Sequence, residues 1–236
     1  MNRYFVCGER PVYIETAPDG SLECLKLDWQ TASFVPGAEC IKRILFGRGE
    51  VWEFDKCEFI PEVERIKKDV NYIPRDKVAL TRSACQRSHE GLKDPVRLIE
   101  KAIEDYAGHI EMVLDISSED LVFDSMAKLR DAARALHDDD KVVRMIDRFS
   151  KPLPSGYSDL IVNVKSPNGA IMEMRVHLQS VYDLFEEHNL IVASKIDPIV
   201  QDAQSEGRHL TRLEADVVSE TLEEINRLYS IAKGKL

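Results

Sequence analysis

Between residues 159 and 178 apolar and polar positions alternate closely enough to define two strands. Leu160, Val162 and Val164 fall on one side of the first run, with Asp159, Ile161, Asn163 and Lys165 on the other. Past Ser166-Pro167-Asn168-Gly169, Met172, Met174, Val176 and Leu178 form an apolar side again. Successive strand residues point to opposite faces of a sheet. Asn-Gly between alternating runs marks a tight turn, so an antiparallel hairpin is expected here. On its polar side Glu173, Arg175 and His177 stand in a row. An acid, a cation and an imidazole on one face fit a site for metal and phosphate. They equally fit the solvated side of a half-exposed sheet. The preceding Pro152-Leu153-Pro154-Ser155-Gly156-Tyr157 brings an aromatic to the strand entrance, where it can stack on a base or plug the core edge.

The same reading extends along the chain. Strands are expected over Tyr4–Cys7, Val12–Thr16, Leu22–Leu27 and Val51–Phe54, with a hairpin turn at Asp19-Gly20 and Trp29, Phe34, Phe46 and Trp52 as the large apolar bodies. Gly47-Arg48-Gly49-Glu50 has no Lys-Ser/Thr pair and no following helix, so it reads as a turn and not a phosphate loop. A helical connector is expected from Pro61 to Val70, then a polar linker. Val96, Ile99, Ile103 and Tyr106 recur at helical spacing over Pro95–Tyr106. A strand near Ile110–Ile116, a helix over Ser125–Leu136, a turn at Asp138–Asp140 and a strand over Lys141–Phe149 follow. Residues 191–209 read as a polar connector containing Pro198. From Leu210 to Ala232 one long amphipathic helix carries Leu213, Val217, Leu222, Ile225 and Tyr229 on a stripe. That stripe serves core packing or self-association.

The expected organisation is therefore α+β: a mixed β-sheet with flanking helices, a small β-rich module before it and a long C-terminal helix after it. The boundaries are 1–70 for the module, 71–92 for a connector, 93–190 for the main domain, and 191–236 for linker and helix.

Composition narrows the partners. The 236 residues carry 42 acidic and 32 basic side chains, a formal charge of −10. That balance disfavours a general nucleic-acid binder, which shows a basic surface, and leaves room for a small pocket with a few cations. No apolar run is long enough for a membrane span and the N-terminus lacks a signal-peptide core, so no membrane partner is expected and the cytoplasm is the expected compartment. Five cysteines, all within the first 85 residues and none spaced Cys-x-x-Cys, read as reduced thiols in a β-rich region and not as a zinc or disulfide framework.

The stretch Asp147-Arg148-Phe149-x-Lys151-Pro152-x-Pro154-Ser155-Gly156-Tyr157, the strand pair and Met172-Glu173-Met174-Arg175-Val176-His177-Leu178-Gln179 resemble the synthetase domain of the RelA/SpoT family. Gly156-Tyr157 matches that family's turn, and Glu173 to His177 its Glu-x-Gln-x-(His/Arg) strand. Leu114-Asp115-Ile116 with Leu121–Asp124 resembles its Asp-bearing strand, and Gly91–Pro95 with Lys101 its lysine segment. The likeness runs from about Lys93 to His188. It implies a nucleotidyltransferase-like fold without a hydrolase half, and transfer of pyrophosphate from ATP to the 3′-hydroxyl of a purine nucleotide. Asp115 and Glu173 would then hold Mg²⁺, with Glu173 also drawing the hydroxyl proton. Lys93, Lys101 and Arg175 would neutralise phosphates, Tyr157 would stack on the acceptor base, and His177 would donate to phosphate or serve as a structural histidine. Without that likeness, Lys93 and Lys101 read as the solvated side of a helix, and Asp115 as part of an acidic loop with Glu119, Asp120 and Asp124.

Four positions depart from the family. Ser118 stands where an arginine is usual, Ile161 where a histidine is usual, Arg175 replaces the glutamine, and no serine lies four residues after Lys93. Three readings stay open: a nucleotide pyrophosphokinase, the same transfer onto the 3′-end of tRNA, and a non-catalytic binder of nucleotide or protein. The N-terminal module and the C-terminal helix are the candidate surfaces for a protein partner or a homo-oligomer.

Overall fold

The computed structural model describes residues 2–47, 49–74, 77, 94–165 and 171–234. Lys93, the 166–170 turn and Cys85 lie outside the described residues. The chain falls into two compact units. The first gathers Met1–Tyr72, Leu153–Ser155 and Glu186–Arg227, the second Ile73–Pro152, Gly156–Phe185 and Leu228–Leu236. The segment read as a separate terminal linker and helix is thus divided between them: the first unit takes it as far as Arg227.

In the first unit, strands β1 (Arg3–Cys7), β2 (Arg10–Thr16), β3 (Leu22–Leu27), β4 (Phe34–Pro36) and β5 (Val51–Phe54) form an antiparallel sheet in the order β4-β3-β2-β1-β5. The strand positions follow the alternation. Residues Lys42–Phe46 wind as a helical turn that alternation does not reveal, with Ile44, Leu45 and Phe46 buried. β5, which follows, pairs with β1; Arg48 of the segment read as a turn lies outside the described residues. Helix α1 (Lys56–Asp69) starts five residues before the expected Pro61. The cause is the Asp55/Glu58 pair: the Asp55 amide donates to the Glu58 carboxylate at 3.4 Å, satisfying a helix-entry donor. Tyr4 and Phe34 both lie against Phe59 of α1, with ring centres 5.2 and 6.5 Å away.

Residues 191–209, read as a polar connector, fall mostly within two helices, α5 (Phe185–Lys195) and α6 (Asp197–Glu206). Pro198 does not break them, because it stands in the first turn of α6, where no amide donor is needed. Helix α7 (Arg212–Gly234) closes the chain. A bridge between Leu22 and Leu210 fastens its approach to β3. Val218, Ile225 and Tyr229 on its stripe are all but fully buried, whereas Leu213 is 78% exposed. Among the described residues no helix is long and apolar enough to cross a membrane.

Cys7 and Cys24 are buried, Cys57 is exposed, and none of the four described cysteines is in a disulfide. Burial pushes the Cys40 thiol up to about 11. Since the thiolate is the nucleophile, iodoacetamide at about pH 8 should modify Cys57 first and leave Cys24 and Cys40 largely unreacted. Peptide mapping by mass spectrometry reads this directly; equal labelling of Cys40 and Cys57 would contradict the burial.

The second unit holds a mixed sheet in the order β6-β9-β8-β7, from β6 (Ser118–Phe123), β7 (Val142–Asp147), β8 (Leu160–Lys165) and β9 (Ile171–Leu178). β6 runs parallel to β9, and the other pairs are antiparallel. Helix α2 (Pro95–Asp105) begins where proline predicts, with the Asp94 carboxylate accepting from the Val96 amide at 3.0 Å. Helix α3 (Met126–His137) is capped by Ser125 and packs on β6, β7 and β9. A short helix, α4 (Gln179–Tyr182), follows β9.

The strand expected over Ile110–Ile116 is absent. Ile110, Val113 and Ile116 recur every third residue and are buried with Leu98, Ala102 and Tyr106 of α2. A 3₁₀ turn over Ile110–Met112 accommodates that spacing, so pairing starts only at Ser118. Before it, Gly108 has φ +93° and a Cβ there would lie 2.5 Å from the Ile73 carbonyl oxygen. Gly207, the cap of α6, has φ +63° with open space around it. Both alanine variants incur the left-handed penalty of about 1–2 kcal/mol, and Gly108→Ala should lose about 1–3 kcal/mol more through overpacking. Chemical denaturation of the two variants checks that ranking.

Candidate functional site on the second sheet

Glu173, Arg175 and His177 share one face of β9, as the alternation requires. The face is not solvated: Glu173 and His177 are 0% exposed. Register sets their neighbours. Glu173 lies between Ser118 on β6 and Asn163 on β8, and Arg175 between Asp120 and Ile161. One side of the mixed sheet therefore carries a buried polar layer, and the opposite side carries the aliphatic residues that meet α3.

Within that layer each carboxylate has a basic group beside it. Arg175 Nε donates to Glu173 Oε1 at 2.6 Å. Lys101 of α2 meets Asp115 at 2.7 Å. Arg148 lies 3.4 Å from Asp159, both essentially unexposed. His177 Nε2 is 2.8 Å from Asp120, whose side chain is 41% exposed and forms the outer end of the network. Burial works against the charged guanidinium of Arg175, but the Glu173 carboxylate outweighs it and holds the group above the ordinary arginine range. Pairing of this kind is what buried charges need to offset desolvation.

Tyr157 does not meet the stacking expectation. It is fully buried, with Phe185 and Tyr229 rings at 6.0 and 5.7 Å, so neither ring face is open to a base. Its hydroxyl reaches Asp159 Oδ2 at 3.2 Å and His177 Nδ1 at 3.1 Å. The hydroxyl has one proton. If Tyr157 donates to Asp159, His177 must donate from Nδ1 to the tyrosine oxygen and from Nε2 to Asp120. All three bonds form together only with protons on both ring nitrogens. His177 is thus a structural junction, its ring also 5.0 Å from that of Tyr182, and its expected role as a phosphate donor is not supported by these contacts.

On two directly paired residues of β8 and β9, one side-chain atom each has no hydrogen-bond partner among the described residues. Glu173 Oε2 is a buried acceptor and Asn163 Nδ2 a buried donor, and these residues face each other across β8 and β9. Asn163 Oδ1 is held by Arg144 Nε at 2.8 Å. Buried polar atoms in folded proteins are nearly always satisfied, which makes this acceptor and this donor the exceptions that a functional reading has to explain.

Of the residues singled out from sequence, Lys101 and Asp115 meet as a pair, as do Glu173 and Arg175, and Tyr157 joins His177. Asp115 lies in the loop before β6, and the Glu173 amide bonds the Ser117 carbonyl of that approach at 2.9 Å. Asp120, Arg144, Arg148, Asp159 and Asn163 were not singled out. Asp159 and Asn163 share the polar side of β8 with the lysine end of the run, and cross-strand pairing with Glu173 would have brought Asn163 forward. Among the described residues no group of three or more His, Cys, Asp or Glu side chains is arranged to hold a metal.

No protein-family model and no curated protein matches the sequence. Several solved structures overlap it in part. They include small alarmone synthetase 1 from Bacillus subtilis bound to its product pppGpp, at 15% identity and TM-score 0.37, covering 59% of this chain and 75% of that one. The Type VI effector Tas1, in complex with its immunity protein, overlaps at 16% identity and TM-score 0.41, over 64% of this chain and 85% of that one. A GTP pyrophosphokinase family protein from Streptococcus pneumoniae does so at 13% and 0.34, over 64% and 82%. Likeness this loose assigns no activity, which has to be argued from the residues of the polar layer.

Proposed function

We propose that the second unit transfers a pyrophosphoryl group from ATP to the 3′-hydroxyl of a purine nucleotide, with Glu173 at the centre of the chemistry. The observation that carries this reading is that Glu173 Oε2 and Asn163 Nδ2, on residues paired across β8 and β9, both lack a hydrogen-bond partner among the described residues. A hydroxyl lodged there would donate to the carboxylate and accept from the amide, the arrangement a proton acceptor needs. The hydroxyl oxygen attacks the β-phosphorus of ATP, the bond to the α-phosphate oxygen breaks, AMP leaves, and the hydroxyl proton passes to Glu173.

Mg²⁺ fits the donor set. Glu173 offers a hard carboxylate oxygen with no hydrogen bond, and Asp115 supplies a second carboxylate; Mg²⁺ is commonly held by one or two carboxylates plus substrate phosphates. When bound, the ion would neutralise charge on the transferring phosphates. Arg175 and Lys101 would exchange their carboxylate partners for phosphate oxygens, Arg175 with the planar fork suited to them. Lys93 is proposed for the same role from the family likeness alone.

A second reading has its own support. The pairing of Glu173 with Arg175 and of Asp115 with Lys101 leaves little surplus positive charge for a triphosphate, and Tyr157 offers no stacking face. A unit that binds nucleotide without turnover fits those facts. Transfer to the 3′-end of tRNA is less favoured, given the net charge of −10.

Incubation with ATP and Mg²⁺, adding in turn GTP, GDP, GMP, ATP, AMP and tRNA, separates the three. Equal release of AMP and of an acceptor heavier by one pyrophosphoryl group supports the proposal and names the acceptor. ATP binding with no product from any acceptor selects the binding reading.

A further inference from the structure

A cavity lies within the same unit, on the side of the sheet that faces α3. It is half open to solvent, has a volume of about 640 Å³, and is lined by Met126, Leu129 and Ala133 of α3, Leu160 of β8, and Phe149, together with Arg130 and Lys233. That volume lies in the range of small-molecule sites. The residues of the polar layer described above take no part in its lining.

Its charge differs from that of the chain. Arg130 and Lys233 supply two cations, and Asp147 is the one carboxylate in the lining. Asp147 is already occupied: one oxygen accepts from the Phe149 and Ser150 amides at 2.9 and 3.2 Å, the other from the Ser150 hydroxyl at 2.5 Å. Lys233 donates to the Gly156 carbonyl at 2.7 Å. Burial holds its ammonium below the usual lysine range, so a neighbouring anion would be a better partner than a neutral carbonyl. An apolar floor with two cations at the margin is complementary to one class of molecule.

We propose that this cavity binds a small amphipathic anion: an aromatic or aliphatic body resting on Met126, Leu129, Phe149 and Leu160, with its acidic group at Lys233 and Arg130. Occupation would draw Lys233 from the Gly156 carbonyl. Gly156 directly precedes Tyr157, whose hydroxyl joins His177 and Asp159. The cavity is thereby connected to the polar layer on the opposite face.

The test uses the full-length protein and a pair of probes of one shape. Anilinonaphthalene sulfonate carries the anion, and phenylnaphthylamine has the same ring system without it. Saturable sulfonate binding is expected, weakened about tenfold or more by Lys233→Met or Arg130→Gln, with phenylnaphthylamine unaffected by either change. Ala133→Phe, which narrows the cavity without altering its charge, should weaken both probes. Arg130 is exposed on α3, so its variant leaves the fold intact even if the lysine variant does not. Sulfonate binding unchanged in Arg130→Gln and Ala133→Phe, or equal loss of the uncharged probe in Arg130→Gln, would overturn the proposal.

Discussion

Glu173→Gln is expected to lower pyrophosphoryl transfer by about a hundredfold to ten-thousandfold, the range for losing a positioned proton acceptor, while the chain stays folded. Glutamine keeps an oxygen for the Arg175 Nε bond, which spans 2.6 Å, and removes the charge from the position of Oε2. Glu173→Ala is the less informative change. It would leave Arg175, with only 17% of its side chain exposed, without its carboxylate, a loss of about 3–5 kcal/mol for a buried pair. Activity would then fall for reasons of stability alone. The comparison is made as AMP and product formed per unit time, with far-UV circular dichroism and melting curves of both proteins alongside. An unchanged rate in Glu173→Gln would remove this residue from the chemistry.

The second large effect is on stability. Arg148→Met should destabilise the second unit by about 3–5 kcal/mol, because it strands the Asp159 carboxylate in a fully buried position. The Tyr157 hydroxyl at 3.2 Å remains as a neutral partner, and the Arg175 guanidinium, which also attracts Asp159, is already bonded to Glu173. Combining Arg148→Met with Asp159→Leu should restore much of the loss, since replacing both members of a buried pair by apolar groups is often nearly neutral. The choice of signal matters. Both tryptophans, Trp29 and Trp52, belong to the first unit, so their fluorescence does not report on the second. Two units need not unfold as one transition, and amide hydrogen exchange of β8 and β9 is the suitable measurement. A loss within about 1 kcal/mol would mean that solvent reaches the pair.

Alternation made the hairpin legible, and with it the row of Glu173, Arg175 and His177. It identified a polar face but not what covers that face. Tyr157 shows the difference: a tyrosine on a glycine-hinged turn can open outward or close inward, and the packing of Phe185 and Tyr229 decides for closure. The partner Asp120 became visible only through register, because β6 joins β9 in parallel after a connection that sequence does not fix, whereas Asn163 already stood on the polar side of the run that pairs with β9. Ile110–Ile116 misled because a run rich in apolar residues suits a strand until its spacing of three is weighed. Pro198 misled in the opposite way, since proline starts a helix as readily as it ends one. The division into units was hidden for a related reason: α5, α6 and most of α7 belong with a sheet more than a hundred residues earlier.

In the proposed transfer Glu173 offers its unpaired oxygen to the metal and the substrate. Electron paramagnetic resonance of Mn²⁺, used in place of Mg²⁺ with a non-hydrolysable ATP analogue, tests it without requiring turnover. The wild-type chain should bind the Mn²⁺–nucleotide complex, and Glu173→Gln should weaken that binding by about tenfold or more. Equal binding by the two proteins would contradict the account and place the metal and the nucleotide elsewhere.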